Sequence, residues 1–175
     1  MKYKVTKKQN NSAWCFICGM ENDVSPKARF YECINEDGEE VLLTVATPEN
    51  RHQSYPNRMH GGVSSALLDE AIGRAVQIAN PEIWGVTINL SVKYKKPTPL
   101  DQTLYIESKI TDVKQRGTFG TFEGEGKLFT ADGTVCVTAE AKYFILPPEK
   151  IAEGYLTEEN WFLVEEDLPD EIVIE

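Results

Sequence analysis

One stretch of this chain, from about Gly61 to Ala79, reads as a long helix, and strand-like runs stand on both sides of it. Asn80-Pro81 ends that helix, because proline cannot continue one and disfavours helix at the residue before it. Two apolar runs precede it, Lys27 to Ile34 and Glu40 to Thr47, joined by the turn-forming Asn35-Glu36-Asp37-Gly38. A polar loop with Pro48 and Pro56 leads into the helix. After the helix, Val86, Ile88, Leu90, Val92 and Tyr94 alternate with Thr87, Asn89, Ser91 and Lys93, the period of a strand. That strict period puts Thr87 on the polar face. Thr103 to Val113, Thr118 to Thr130 and Val135 to Leu146 are three further strands, separated by turns at Arg116-Gly117 and Asp132-Gly133. The expected class is therefore α+β, one long central helix wrapped by an antiparallel sheet of about six strands. The expected organisation is an irregular segment over residues 1–25, one domain over 26–147 and an acidic tail over 148–175.

The 175 residues suffice for one real core. Charge is spread unevenly: all 18 Lys and Arg lie in residues 1–150, whereas 151–175 carry only acids. A nearly neutral body with an acidic tail lacks the basic face that nucleic-acid binding needs. No run of about 18 apolar residues is present, so no membrane-spanning helix is expected. Met1 to Ser12 is polar and lysine-bearing, without the apolar centre of a secretory signal. The expected compartment is the cytoplasm, where the four cysteines stay reduced.

The helix carries two features that packing alone does not require. It begins His60-Gly61-Gly62 rather than with one of the usual capping residues. Two glycines leave the backbone open to close approach, and free N–H groups at a helix start bind anions or a developing oxyanion. The second feature is Asp69, whose helical neighbours Ser65, Ala66, Ile72, Gly73 and Val76 include no cation. An unpaired carboxylate on an apolar helix is costly and marks a candidate functional acid. Glu70, with Arg74 four residues on, reads as an ordinary surface pair. Gly61 and Asp69 lie eight residues apart, roughly 12 Å along a helix. An oxyanion donor and a base that act on one carbonyl must each sit within about 3 Å of it. If both act together, they come from different subunits, so the chain is expected to work as a homodimer or a dimer of dimers (a homotetramer).

The same segment resembles the phenylacetyl-CoA-type branch of hotdog thioesterases, within the hydroxybenzoyl-CoA thioesterase superfamily. That branch shows a loop of the form H-Q-N-x-x-G-x-x-H-G-G and an acid nine residues after the second His. Here the loop is His52-Gln53-Ser54-Tyr55-Pro56-Asn57-Arg58-Met59-His60-Gly61-Gly62, and Asp69 falls at the acid's place. Gly85-Val86-Thr87, Leu90, Val92, Tyr94 and Pro97 resemble the strand that follows. The resemblance covers about residues 40–146. It implies a hotdog fold with subunits paired through a continuous sheet, and hydrolysis of an acyl-CoA thioester to free acid and thiol. Gly61 N–H would polarise the thioester carbonyl, with His60 shaping the turn. Asp69 of the partner subunit would act as nucleophile or general base. Thr87 matches a position where some relatives use a serine to help hold the water. Ser54 stands where the branch has asparagine, near the thioester, and Asn57 replaces a glycine but tolerates positive φ.

The catalytic candidates are thus Asp69, Gly61, His60, Thr87 and Ser54. The substrate-binding candidates are Gly62 and Asn57 in the loop, with Lys93, Lys95, Lys96, Lys114 and Arg116 as partners for coenzyme A phosphates. Coenzyme A enters only as part of the substrate, and no separate cofactor is expected. Cys15-x-x-Cys18 is a lone pair without the four ligands that zinc usually takes, so no metal is expected. The alternative function is a non-catalytic hotdog protein that binds acyl-CoA as sensor or carrier. A hydratase of this fold would need a D-x-N-x-x-H stretch, which is absent from the sequence.

Overall fold

The structure, a computed structural model, describes all residues 1–175. The long helix is α1, Gly61–Ala75, continued by a tighter turn over Val76–Ile78. Before it stand β1 (Lys2–Lys8), β2 (Asn11–Ser12), β3 (Arg29–Ile34) and β4 (Glu40–Ala46). After it come β5 (Trp84–Tyr94), β6 (Leu104–Arg116), β7 (Phe119–Thr130) and β8 (Val135–Leu146). The chain ends with a short helix α2 (Pro148–Ala152), β9 (Trp161–Phe162) and β10 (Glu171–Val173). One helix packed against a large antiparallel sheet is the α+β arrangement that the periodicities predicted.

The sheet has eight strands in the order β10-β1-β3-β4-β6-β7-β8-β5, every neighbouring pair antiparallel. α1 lies on one face of it and touches β4, β5, β6, β7 and β8. Leu67, Leu68, Ala71 and Ile72 of α1 are fully buried against Leu42, Ile106, Phe122, Leu128 and Val137. The helix comes close to the sheet because β7 has no side chain beneath it at Gly124. A Cβ there would stand 2.7 Å from Cγ2 of Ile72. Ser108 Oγ of β6 donates to the Ala71 carbonyl at 2.9 Å and fixes the helix against its strand.

Residues 1–25, expected to be irregular, contain two strands. β1 pairs with β3, and the tail strand β10 pairs with β1 on the other side. Tyr3, Val5 and Ile174 bury a second small core with Cys33, Val41, Leu43 and Phe129. β2 pairs with β9. Trp161, Phe162, Ile172 and Ile174 of the acidic tail therefore dock on the body, whereas Tyr155, Leu156 and Leu163 stay exposed. The lysines of β1 obscured the strand, since Tyr3 and Val5 are its only inward apolar positions besides the chain end.

The strict alternation of β5 also fails at one place. The ladder with β8 runs Val86–Phe144, Thr87–Tyr143, then Asn89–Lys142, which leaves Ile88 as an extra residue. This bulge reverses which face the strand presents. Val86 and Ile88 are both exposed, while Leu90 and Val92 pack on the core. Thr87, placed on the outer face by a period of two, shares the face of its ladder partner Tyr143, which is buried toward α1. No helix is long and apolar enough to cross a membrane.

Candidate active site

Asp69 sits in the middle of α1 on the side that faces β5 and β8, half-buried. It is not without partners, as its helical neighbours alone had suggested. Thr87 Oγ1 reaches both carboxylate oxygens, at 3.0 and 3.2 Å. Tyr143 Oη donates to Oδ1 at 3.0 Å and to the Asp69 carbonyl at 2.7 Å. Burial, and then the Asp69 charge, push the Tyr143 phenol well above its ordinary range, so it stays protonated and donates. Both partners are neutral hydroxyls, and no cation pairs with the acid. A carboxylate oriented by hydroxyls and left without a cation partner is free to act on a bound group.

Tyr143 was missed in the sequence. The signal was present: the inward row of β8 reads Val137, Ala139, Ala141, Tyr143, Ile145, all buried. One phenol in a row of small and aliphatic residues needs a polar partner, since a buried hydroxyl is costly without one.

The helix start is capped, contrary to the expectation from His-Gly-Gly. His60 is the N-cap, and its Nδ1 accepts the Gly62 N–H at 2.9 Å. This occupies the Gly62 amide, which is thereby removed as a substrate donor. Among the chain's hydrogen bonds, the Gly61 N–H has no acceptor, whereas its carbonyl accepts from Tyr94 Oη at 2.8 Å. Tyr94 Oη also lies 2.6 Å from Ser65 Oγ. One free, outward N–H at the positive end of a helix is thus singled out from the pair of glycines.

The loop before the helix is held by the other histidine. Buried His52 accepts the Glu49 N–H through Nδ1 and bonds the Val24 carbonyl through Nε2. Its carbonyl accepts the His60 N–H at 2.8 Å. Asn57 adopts φ of 60°, the left-handed conformation that the branch's glycine would take, so it shapes the turn. A pocket of about 440 Å³ opens over the helix start, lined by Ser54, Arg58, Gly61, Tyr94, Lys95 and Lys96 among others. Of the five basic candidates, Lys95 and Lys96 come here. Lys93 lies on the outer face of the sheet beside Glu140, and Lys114 pairs with Asp112 at 2.9 Å. Arg116 ends β6 at the turn into β7. Arg58 joins Lys95 and Lys96 in the pocket, unmarked in the sequence because its loop position carries no periodicity.

Glu70 is not an ordinary surface residue. Its side chain is 18 % exposed, and its partner Arg74 is 7 % exposed. Arg74 stacks over Phe30 with 4.0 Å from guanidinium to ring centroid, and over Trp161 of the tail. The pair faces Cys15 and Cys18, on the side of the helix away from β5.

Residues 57–137, which include His60, Gly61, Asp69 and Thr87, match the thioesterase superfamily. The solved structure of a thioesterase superfamily protein is similar at 33 % identity, over 73 % of this chain and 58 % of that one, with a TM-score of 0.60. A protein from Bacillus halodurans, solved with CoA, is 26 % identical over 59 % of this chain and 70 % of its own, with a TM-score of 0.51. The mouse acyl-coenzyme A thioesterase THEM4 is 29 % identical over 98 residues, 56 % of this chain and 40 % of that protein. The chain spans 40–54 % of the length of the curated relatives it matches.

Proposed function

We propose that this chain, a hotdog-fold protein whose residues 57–137 match the thioesterase superfamily, hydrolyses an acyl-CoA-type thioester to a free acid and a thiol. The observation that carries this reading is Asp69, held by two hydroxyls and no cation, on the same helix whose first amide is free. Binding alone requires no such acid. The Gly61 N–H and the helix dipole polarise the thioester carbonyl and stabilise the oxyanion. Either Asp69 attacks the carbonyl and expels the thiolate, leaving an anhydride that water then hydrolyses, or it takes a proton from a water whose attack expels the thiolate. Thr87 and Tyr143 orient it. His60 ties up the Gly62 amide, which fixes the angle at which Gly61 meets the substrate.

Two copies are needed. The helix is regular from Gly61 to Ala75, so the eight residues from Gly61 to Asp69 span roughly 12 Å. No carbonyl touches both in one chain. β5 supplies a means of pairing, since it forms an edge of the sheet with exposed Val86, Ile88 and Tyr94. An open edge of 11 residues is a template for another strand. A second copy that pairs there about a two-fold axis continues the sheet and lays the two α1 helices side by side. Asp69 of the partner subunit then meets Gly61 of the first.

The pocket above the helix start accepts the thiol side of the substrate, where Lys95, Lys96 and Arg58 face its phosphates. The loop's resemblance makes an arylacetyl thioester of the phenylacetyl type the first acyl group to try. The four free cysteines suit a reducing compartment such as the cytoplasm. A panel of acyl-CoAs, followed by release of free thiol, tests the function. Turnover of at least one member is expected. Tight binding of the panel without thiol release would favour the sensor or carrier instead.

Tyr143→Phe tests the positioning of the acid. It should cost about 1 kcal/mol of stability, the usual worth of one hydrogen bond. It should also lower kcat roughly tenfold with KM little changed, because the acid is less well aimed. Denaturant unfolding and steady-state kinetics read the two effects separately. A KM effect alone would place Tyr143 on the substrate rather than behind Asp69.

A further inference from the structure

We propose that Cys15, Cys18 and Glu70 form a binding site for a thiophilic divalent cation of the zinc class. The inference is independent of the thioesterase reading. It reverses the expectation drawn from the lone C-x-x-C pair, because the third ligand stands 52 residues away on α1, at Glu70.

Both sulfurs and a Glu70 carboxylate oxygen lie within 4.8 Å of one another. Zinc binds sulfur at about 2.3 Å and carboxylate oxygen at about 2.0–2.2 Å, so its tetrahedral ligands stand roughly 3.4–3.8 Å apart. A small adjustment of side chains brings the three to that spacing. The turn is shaped for anionic sulfur. The Ile17 and Cys18 amides point at Cys15 Sγ, at 3.3 and 3.5 Å, and such N–H donors favour the thiolate. The Gly19 N–H closes the turn on the Cys15 carbonyl at 2.8 Å. A Cβ on Gly19 would lie 2.3 Å from that carbonyl oxygen, so only glycine fits.

Arg74 completes the arrangement from behind. Its guanidinium holds Glu70 Oε1 at 2.9 Å and donates to Cys18 Sγ at 3.3 Å. Glu70 Oε2 is left facing Cys15 Sγ, at 3.1 Å. Outer hydrogen bonds of this kind orient the ligands of a metal. Two thiolates, one carboxylate, one guanidinium and a dication sum to zero charge, which a mostly buried cluster requires. Cys18 is buried and Cys15 partly exposed, so a water on the Cys15 side completes four-coordination. The ion would staple the N-terminal turn to α1 at the residue next to Asp69.

The test uses the full chain, reduced and stripped with a chelator, then titrated with zinc at pH 7.5. One ion per chain is expected, with release of about two protons as the thiols ionise. Cobalt in place of zinc should give the near-ultraviolet charge-transfer absorption of thiolate ligands. Cys15→Ser, at a partly exposed position, should cut that absorption by half or more, and Glu70→Gln should weaken zinc about tenfold or more. Three results would overturn the site: no ion retained by the wild-type chain, an ion retained equally by both variants, or a Cys15–Cys18 disulfide that forms as readily with zinc as without it. The wild-type titration decides even if a variant fails to fold.

Discussion

Asp69→Asn should leave the fold intact and lower turnover by about 100-fold or more, the scale of a lost nucleophile or positioned base. The substitution keeps the shape of the side chain, and its amide oxygen still accepts from Thr87 Oγ1 and Tyr143 Oη. What it removes is the charge and the lone pair that attacks carbon or accepts a proton. Because no cation pairs with Asp69, removing the charge strands no buried partner, and unfolding should shift by no more than about 1 kcal/mol. Steady-state kinetics on the best acyl-CoA, with a thermal melt beside it, reads both quantities. Unchanged kcat in a folded variant would take Asp69 out of the chemistry.

Much of this site is visible in the residues, and what is not has physical reasons. The helix is legible because Leu67, Leu68, Ala71 and Ile72 recur at helical spacing and Asn80-Pro81 stops it. Asp69 stands out because its helical neighbours include no cation. Strand β8 is legible to the residue, since Pro147-Pro148 ends it abruptly. Thr87 was misplaced for one reason, the bulge at Ile88, which no period reveals. Tyr143 and Asp69 are 74 residues apart, and only the strand order β7-β8-β5 brings them together. The role of Glu70 was misread because an i, i+4 pair looks alike on the surface and in the interior. Only the packing of Phe30 and Trp161 on Arg74 shows that this pair is covered. β1 was hidden by its lysines, whose heads reach solvent or acids while Tyr3 and Val5 turn inward.

The larger demand falls on assembly. Gly61→Pro removes the amide N–H that is proposed to polarise the carbonyl. The position tolerates proline. It is the first residue of the helix, and His60 before it has φ of −64° and ψ of 134°, the extended backbone that precedes proline. A Cβ there meets the Tyr94 ring at 3.3 Å, which a shift of a few tenths of an ångström relieves. Gly61→Pro should therefore fold and lose about 100-fold or more in kcat, the worth of one oxyanion donor.

The shared site is tested most directly by mixing these two inactive proteins, with subunit exchange confirmed by tagged co-purification. In a mixed dimer one site receives both defects and the other receives neither. Activity should return to about half the wild-type value per mixed dimer, since one intact oxyanion donor then meets one intact acid. Confirmed mixed dimers that stay inactive, with both parents folded, would contradict a site built from two chains.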